Sequence, residues 1–280
     1  MNITWSEIQM RRLNELEAAS DERNRQFEST EERDQSFHAL EKKLVTHARR
    51  KLIEMRYTSR RPARCRMESL LVDALNAKGF VQVATPTLMS KSHLAKMTID
   101  ESHPLFNDIY WVSNDKCLRP MLAPHLYYVL KDLMRIWEKP VRIFEIGSCF
   151  RKESKGARHS TEFTMLNLVE MGLPQAECQT RVAQMASWVM NAVGISEYHF
   201  ETEDSAVYGT TVDVVAGDEN LEVGSAAMGP HALDIPWGIT DAWAGIGFGL
   251  ERLMMVKEKT TNISKFGRSL SYLDGIRLNI

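Results

Sequence analysis

Several features that mark common protein classes are missing from this 280-residue chain. No stretch approaches the ~18 apolar residues of a membrane-spanning helix. The first residues lack the basic and apolar regions of a secretory signal. The four cysteines form no Cys-x-x-Cys pair, and no His-Glu-x-x-His occurs, so neither disulfides nor a zinc site is indicated. We therefore expect a cytoplasmic protein with no zinc and no membrane partner.

Two widespread nucleotide-binding signatures are also absent. No Gly-x-x-x-x-Gly-Lys-Ser/Thr occurs, and the third glycine of a dinucleotide fingerprint starting at Gly245 would fall on Leu250. Any nucleotide must therefore be bound by other means. The formal charge of -2 argues against a globally basic nucleic-acid binder, so an RNA contact would need a local patch.

Residues 1–60 differ from the rest of the chain, because they are densely charged and contain neither proline nor glycine. We predict an N-terminal region of two helices over 1–60, one of them starting near Ser29, and a catalytic domain over 61–280. Basic residues are concentrated around the junction. They would either contact RNA phosphates or form a solvated helical face, and the sequence leaves both open. The group comprises Arg49, Arg50, Lys51, Arg56, Arg60, Arg61, Arg64 and Arg66.

After Met67 the chain alternates between short strands and helices. Strands joined by turns, rather than strict alternation of strand and helix, predict an α+β fold with an antiparallel sheet flanked by helices. The predicted strands are 80–83, 109–112, 117–119, 141–146, 162–169, 211–215, 221–228 and one from 243; the predicted helices lie near 70–75, 124–137, 174–193 and after 250.

The segment Gly245–Arg252 places glycine at alternate strand positions and an arginine at a helix start. Gly245, Gly247 and Gly249 would leave one strand face bare, so that a flat ring can lie against the backbone. Arg252 can cover the other side of an adenine while pairing with phosphate, because guanidinium is planar and charged. Taken alone, the segment is better explained as a tight packing point between sheet and helix.

The segment Phe150-Arg-Lys-Glu153 supplies the complementary charges. Arg151 and Glu153 share one strand face, where Arg151 suits an α-phosphate and Glu153 can accept from an exocyclic amine. The following polar loop, with Arg158 or His159 as donors, is expected to close over the outer phosphates.

The strand after this loop predicts both a stacking surface and a pocket wall. Phe163, Met165, Asn167 and Val169 alternate, so they lie on one face, with Phe163 as the adenine platform. A buried Asn167 needs a hydrogen-bonding partner, which an amide-bearing lysine derivative offers and phenylalanine does not.

These groups suggest amino-acid activation by ATP. A carboxylate can attack the α-phosphorus without a base, so alignment and charge stabilisation by Arg151 and Arg252 would carry catalysis. Glu222 and Ser225 are candidate ligands of Mg²⁺. Strict alternation places them on opposite faces, so we expect a bulge near Gly224.

Three stretches, Gly79–Pro86, Phe150–Phe163 and Gly245–Arg252, resemble in order and spacing the signature motifs of class II aminoacyl-tRNA synthetases. Residues 118–124, 143–154, 162–167 and 247–252 are similar to the pyrrolysyl-tRNA synthetase family, in the compact form lacking a separate N-terminal tRNA-binding domain. The resemblance implies the class II fold, a homodimer formed through the helix and strand of the first motif, and ATP, Mg²⁺, pyrrolysine and tRNA(Pyl) as cofactors and partners.

The resemblance also implies site residues. Asn167 would contact the side-chain amide carbonyl of pyrrolysine, and Tyr208 would lie on a mobile loop over the pocket. Val169 and His125 depart from the cysteine and asparagine usual in the family. The implied ATP site comprises Arg151, Glu153, His159, Phe163, Glu222, Ser225, Gly249 and Arg252, and the remaining pocket residues are Met121, Ala123, Leu126, Tyr127, Leu130, Val169, Ala227 and Trp243.

Three hypotheses follow from the sequence. The chain activates a bulky lysine derivative and esterifies it to tRNA. Alternatively it keeps the chemistry for another amino acid, of the phenylalanine or phosphoserine type, or for another acceptor. In the third, it is a non-catalytic synthetase-like binding protein, against which the intact charged set argues.

Overall fold

The computed structural model describes residues 3–152 and 159–280, which divide into two compact units. The first contains the chain up to Ala63 together with Ser269–Ile280, and the second contains Arg64–Arg268. No sequence signal had indicated that the C-terminal residues pack with the N-terminal ones. Among the described residues, no helix has the length and apolar character needed to cross a membrane.

The helices agree broadly with the sequence pattern, except that the described part of residues 1–60 contains three helices where two were predicted. Ser29 caps the long third helix, because its hydroxyl accepts from the backbone N–H of Glu32 at 3.1 Å. Gly194 ends the seventh helix in the left-handed conformation with φ 75°. The α-helices are α1 Glu7–Glu15, α2 Ser20–Arg23, α3 Thr30–Met55, α4 Ala63–Asn76, α5 Lys91–Lys96, α6 Ala123–Leu133, α7 Cys178–Val193 and α8 Leu250–Lys257.

The strands form one large sheet and two small ribbons. In chain order they are β1 Val81–Gln82, β2 Leu88–Ser90, β3 Lys116–Leu118, β4 Val141–Phe150, β5 Glu162–Met171, β6 Tyr198–Ser205, β7 Gly209–Ala216, β8 Leu221–Gly229, β9 Trp243–Gly249, β10 Tyr272–Leu273 and β11 Ile276–Arg277.

Within the described residues, seven strands build the main sheet in the order β1-β4-β5-β9-β8-β7-β6. β1 runs parallel to β4, and the other neighbours are antiparallel. Helices α7 and α8 pack on the central strands β8 and β9. The predicted antiparallel α+β fold is confirmed.

The hairpin predicted between residues 109–112 and 117–119 forms around one antiparallel bridge, Trp111 to Cys117, with backbone bonds from Val112 to Lys116 and from Leu118 to Tyr110, both at 2.9 Å. On its other edge β3 forms an unexpected ladder with β2. The register places Met89 opposite Cys117, and both side chains are fully buried. Burial of this pair favours the longer-range ladder, which local turn signals do not indicate. Strand β6 also escaped the sequence analysis.

The N-terminal unit has its own small core. Trp5, Leu13, Ala18, Phe27 and Leu40 are buried together. The rings of Trp5 and Phe27 meet edge to face with centroids 4.4 Å apart. This cluster fixes α1 against α3 within the unit.

Candidate active site

A buried ion pair lies between the first motif and β4, the strand that leads into the second motif. Arg119 Nη1 lies 2.7 Å from Glu145 Oε1, and each side chain is less than 5% exposed, at 4% and 3%. Glu145 also accepts from the backbone N–H of Thr85 at 3.1 Å and from its hydroxyl at 2.7 Å. A Cβ at Gly147 would overlap the Arg119 guanidinium. Glycine at this point of β4 therefore lets Arg119 reach Glu145.

Arg151 leaves the end of β4 and faces the neighbouring strand. Its backbone N–H donates to Thr161, and its Nε donates to the carbonyl of Pro120 at 3.1 Å. The guanidinium carbon lies 5.3 Å from the ring centre of Phe163. Arg151 is thus held beside the predicted adenine platform. Glu153 and the loop through Arg158 lie outside the described residues.

Strand β5 forms the floor of a cavity of about 560 Å³. Phe163, Met165, Asn167 and Val169 all line it, whereas Leu166 and Leu168 between them are fully buried away from it. The predicted alternation is confirmed, and one strand face runs from the aromatic platform to the amide and beyond.

Glu251, at the start of α8, holds β5 through two hydrogen bonds. Both of its carboxylate oxygens accept from the backbone N–H of Thr164, at 3.1 and 2.9 Å. Burial raises the pKa of Glu251, and the Thr164 bond opposes this shift. Arg252, the predicted phosphate contact, therefore directly follows a residue that is buried and fixed by hydrogen bonds.

The alternating glycines of β9 have different neighbours. A Cβ at Gly245 would touch the Trp243 ring at 3.3 Å, and one at Gly249 would meet the Arg252 side chain at 3.7 Å. A Cβ at Gly247 would overlap Asn167 Oδ1, because Gly247 and Asn167 are paired across β5 and β9. The Asn167 side chain thus fills the space next to Gly247. Only part of the glycine face of β9 is left for an adenine ring.

Arg252 and Glu222 form an ion pair. Arg252 Nη1 donates to Glu222 Oε2 at 2.8 Å and to the Glu222 carbonyl at 3.0 Å. Both side chains keep solvent access, with 25% and 46% exposed. A predicted phosphate contact and a predicted metal ligand therefore neutralise each other in this structure.

The expected bulge in β8 is present. Val214 pairs with Gly224 and Val215 pairs with Glu222, so Val223 is the extra residue. The irregularity brings Glu222 and Ser225 to the same cavity. The Ser225 hydroxyl donates to Asp213 at 2.6 Å, a carboxylate that the sequence analysis missed.

These oxygens are compatible with Mg²⁺, which usually takes one or two carboxylates and completes its shell with phosphates and water. The Glu222 carboxylate is accessible, and the Ser225 hydroxyl, whose proton is donated to Asp213, retains lone pairs. Among the described residues, no group of three or more His, Cys, Asp or Glu side chains is arranged to hold a metal.

The apolar end of the cavity is organised by a buried carboxylate. Asp234 accepts from the Tyr127 hydroxyl at 3.1 Å, from the Trp243 indole at 2.9 Å and from the backbone N–H of His231 at 2.7 Å. Burial raises the pKa of Tyr127, and the adjacent Tyr208 and Asp234 raise it further. The Tyr127 hydroxyl is therefore a fixed donor. Asp234 carries no recognisable sequence signal.

A single cavity collects nearly every predicted site residue. Segments that the sequence analysis missed, Pro104–Leu105 and Ser205–Val207, also line it. The predicted residues that line it are Met121, Ala123, Leu126, Tyr127, Leu130, Arg151, His159, Phe163, Asn167, Val169, Tyr208, Glu222, Ser225, Ala227, Trp243, Gly249 and Arg252.

Comparison with known proteins places this arrangement in a class. The family model described as "tRNA synthetases class II core domain (F)" matches residues 47–274. The phenylalanine--tRNA ligase alpha subunit of Thermosynechococcus vestitus is 29% identical over 154 residues, which cover 52% of this chain and 45% of that protein. The curated relatives are longer proteins, and the chain spans between 24% and 45% of their length. The fold and site thus define a class II aminoacyl-tRNA synthetase core.

Solved structures narrow the class. The crystal structure of pyrrolysyl-tRNA synthetase from Desulfitobacterium hafniense is 52% identical, covers 99% of both chains and superposes with a TM-score of 0.93. A structure of PylSc from the same organism is 50% identical, covers 99% of this chain and 96% of its own, and gives a TM-score of 0.90. The chain belongs to the pyrrolysyl-tRNA synthetase family.

Proposed function

We propose that this chain uses ATP and Mg²⁺ to activate pyrrolysine, a bulky lysine derivative with a side-chain amide, and esterifies it to tRNA(Pyl). The observation that carries the proposal is the continuity of one cavity. Its polar end contains Arg151, His159 and Arg252, and its apolar end contains Asn167 between hydrophobic walls.

The chemistry requires positioning rather than a base. The carboxylate of an amino acid is already an anion and attacks the α-phosphorus directly. Arg151, held by Pro120 beside Phe163, would stabilise charge on the α-phosphate while Phe163 stacks on adenine. His159 and Arg252 would hold the outer phosphates.

Phosphate binding would exchange one ion pair for another. Arg252 is bonded to Glu222, and a phosphate that recruits Arg252 frees the Glu222 carboxylate. Glu222 and Ser225 would then hold Mg²⁺, which would supply positive charge to offset that of the phosphates. Arg151 and Arg252 would be the two catalytic groups.

The amino-acid pocket supports an amide-bearing substrate. Asn167 can donate to a carbonyl oxygen, and its position is defined by Gly247 on the paired strand. Leu126, Tyr127 and Trp243 are buried around the pocket and suit a long apolar side chain. Apolar walls disfavour the phosphate of phosphoserine, and Asn167 would remain without a partner against phenylalanine.

The proposal extends to the partners. The exposed basic residues Arg49, Arg50, Lys51 and Arg56 on and after α3 suit tRNA phosphates. Leu70 of α4 and Val81 of β1 are 49% and 45% exposed, which is consistent with a homodimer through the first motif. Because tRNA is aminoacylated where translation occurs, we place the activity in the cytoplasm.

Analytical ultracentrifugation tests the proposed homodimer. A protein that is monomeric at micromolar concentration would contradict it.

Amino-acid-dependent ATP–pyrophosphate exchange tests the activation step. We expect exchange with pyrrolysine and none with phenylalanine or phosphoserine, followed by acylation of tRNA(Pyl). Exchange with phenylalanine alone would instead support activation of a different amino acid. Failure with every amino acid would reject enzymatic activation.

Asn167→Ala tests the recognition step. We expect the KM for pyrrolysine to rise about tenfold or more, because an amide hydrogen bond is lost in an apolar pocket. The variant should also accept other bulky amino acids, while the KM for ATP stays constant. Unchanged kinetics with pyrrolysine would exclude the assigned role of Asn167.

A further inference from the structure

The tip of the β6–β7 hairpin, residues Ser205–Tyr208, lines the amino-acid end of the cavity together with Tyr127 and Trp243. β6 is the edge strand of the main sheet, and most of its side chains are exposed. The part of the hairpin next to the tip, residues 203–210, contains no buried residue, and a segment of this kind opens at low cost. The position of the tip therefore depends on specific contacts at the tip itself.

The polar groups of the tip are bonded in two ways. Its N–H groups are satisfied locally, since Ser205 Oγ accepts from Val207 at 3.3 Å and from Tyr208 at 3.4 Å. Its carbonyl groups are bonded from outside the hairpin. His103 Nε2 lies 3.3 Å from the carbonyl oxygen of Ala206, and His231 Nε2 lies 3.0 Å from that of Tyr208.

Both histidines are held in one tautomer. His103 Nδ1 accepts from the backbone N–H of Leu105 at 3.1 Å, and His231 Nδ1 accepts from that of Leu233 at 3.1 Å. A neutral imidazole whose Nδ1 accepts carries its proton on Nε2. Each ring therefore donates to the hairpin tip, and each is oriented by capping a short 3-10 helix.

We propose that His103 and His231 are positioning residues that fasten the Ser205–Tyr208 tip over the amino-acid end of the cavity. His231 contributes more, because its ring also packs on Tyr208 with centroids 5.8 Å apart, and Tyr208 packs on Trp243 at 6.2 Å. This role rests on the proposed function, since the amino acid is the substrate that the tip covers. Both bonds end on the tip, so the KM for the amino acid should respond and the KM for ATP should not.

Two substitutions of His231 separate fastening from helix capping. In His231→Asn the amide oxygen replaces Nδ1 and keeps the bond from Leu233, but the side chain is too short to reach Tyr208. In His231→Gln the amide nitrogen replaces Nε2 and keeps the bond to Tyr208. The exposed His199 of β6 provides a matched control, His199→Asn, which should behave as wild type.

The first readout is ATP–pyrophosphate exchange with pyrrolysine. We expect His231→Asn to raise the amino-acid KM roughly three- to tenfold, the loss implied by one neutral hydrogen bond, with the KM for ATP unchanged. His231→Gln should remain within about twofold of wild type for the same reason. Adding His103→Asn to His231→Asn should raise the KM further. Equal values in the Asn and Gln variants, or a defect in Gln alone, would overturn the proposal.

The second readout does not require activity. Amide hydrogen exchange of the substrate-free protein should be faster at Val207 and Tyr208 in His231→Asn than in His231→Gln, wild type or His199→Asn. If wild type activates no lysine derivative, the proposed function fails, but this comparison still decides the fastening role. Equal protection of the two amides in the Asn and Gln variants would refute it.

Discussion

Gly247→Ala tests whether β9 makes room for the amide of Asn167. The two residues are paired across β5 and β9, so neither backbone can retreat without disturbing the central sheet. The added methyl group would overlap Asn167 Oδ1 and lie 3.3 Å from Met165 Cε. The flexible methionine can move away, but the short Asn167 side chain must rotate.

The size of the effect follows from this geometry. Restoring ordinary contact requires the amide oxygen to move by about 1 Å, since nonbonded atoms settle near 3.5 Å. Overpacking of this kind costs about 1–3 kcal/mol of unfolding free energy. A displacement of about 1 Å in a substrate-positioning group lowers activity by about 10²-fold. We therefore expect a large loss of kcat/KM for pyrrolysine with a modest loss of stability.

A double-mutant cycle isolates the contact. Exchange kinetics and urea unfolding are measured for Gly247→Ala, Asn167→Ala and the double variant. In the double variant the added methyl group no longer meets the amide oxygen, so most of the stability loss should disappear. Additive stability losses would refute the reasoning, because they would show that the methyl group disturbs something other than Asn167.

Gly249→Ala is the matched control on the same strand. Its Cβ would lie 3.7 Å from the Arg252 side chain, an ordinary contact. We expect little loss of stability and, under the proposed function, an effect on the KM for ATP rather than for the amino acid. A pyrrolysine-specific defect in Gly249→Ala would contradict this division of the strand.

Three further predictions follow from buried or charged groups. Burial lowers the pKa of His125 to about 4, and nearby positive groups add to the shift. Because the unfolded chain takes up the proton at higher pH than the folded one, about 3 kcal/mol of stability is lost as pH falls from 6.5 to 4. His125→Asn should therefore flatten the pH dependence of the unfolding free energy measured in urea. Arg119→Met leaves Glu145 buried without its ion-pair partner and should cost about 3–5 kcal/mol in the same assay, whereas Lys139→Met at an exposed pair should cost less than about 1 kcal/mol. Glu222→Gln should raise the Mg²⁺ concentration needed for half-maximal exchange at least about tenfold without changing unfolding, and an unaltered Mg²⁺ titration would remove Glu222 from the metal site.

The local parts of the structure were predictable from the sequence. The cap at Ser29, the left-handed Gly194 and the alternation along β5 depend on neighbouring residues, and they are confirmed. The bulge near Gly224 was also expected, because Glu222 and Ser225 otherwise face opposite ways. Such features follow from backbone geometry over a few residues.

Long-range pairings were not predictable in the same way. The β2–β3 ladder, which buries Met89 against Cys117, was not expected, because its two strands are far apart in the chain. Strand β6 was missed because its exposed residues carry no clear apolar pattern. The predictions for Glu153 fall outside the described residues, and those for the homodimer and RNA contacts stay proposals.

The sequence by itself determined the class of chemistry, because Arg151, Phe163 and Arg252 lie in short local motifs that can be recognised without the fold. Only the tertiary structure decided how these elements meet. It placed Gly247 beside Asn167, paired Arg252 with Glu222, and set Asp234 beneath Tyr127 and Trp243. The physical reason is that strand register and buried hydrogen bonds depend on which distant segments share a core. Local periodicity records which face a residue occupies but not the residue that it meets there.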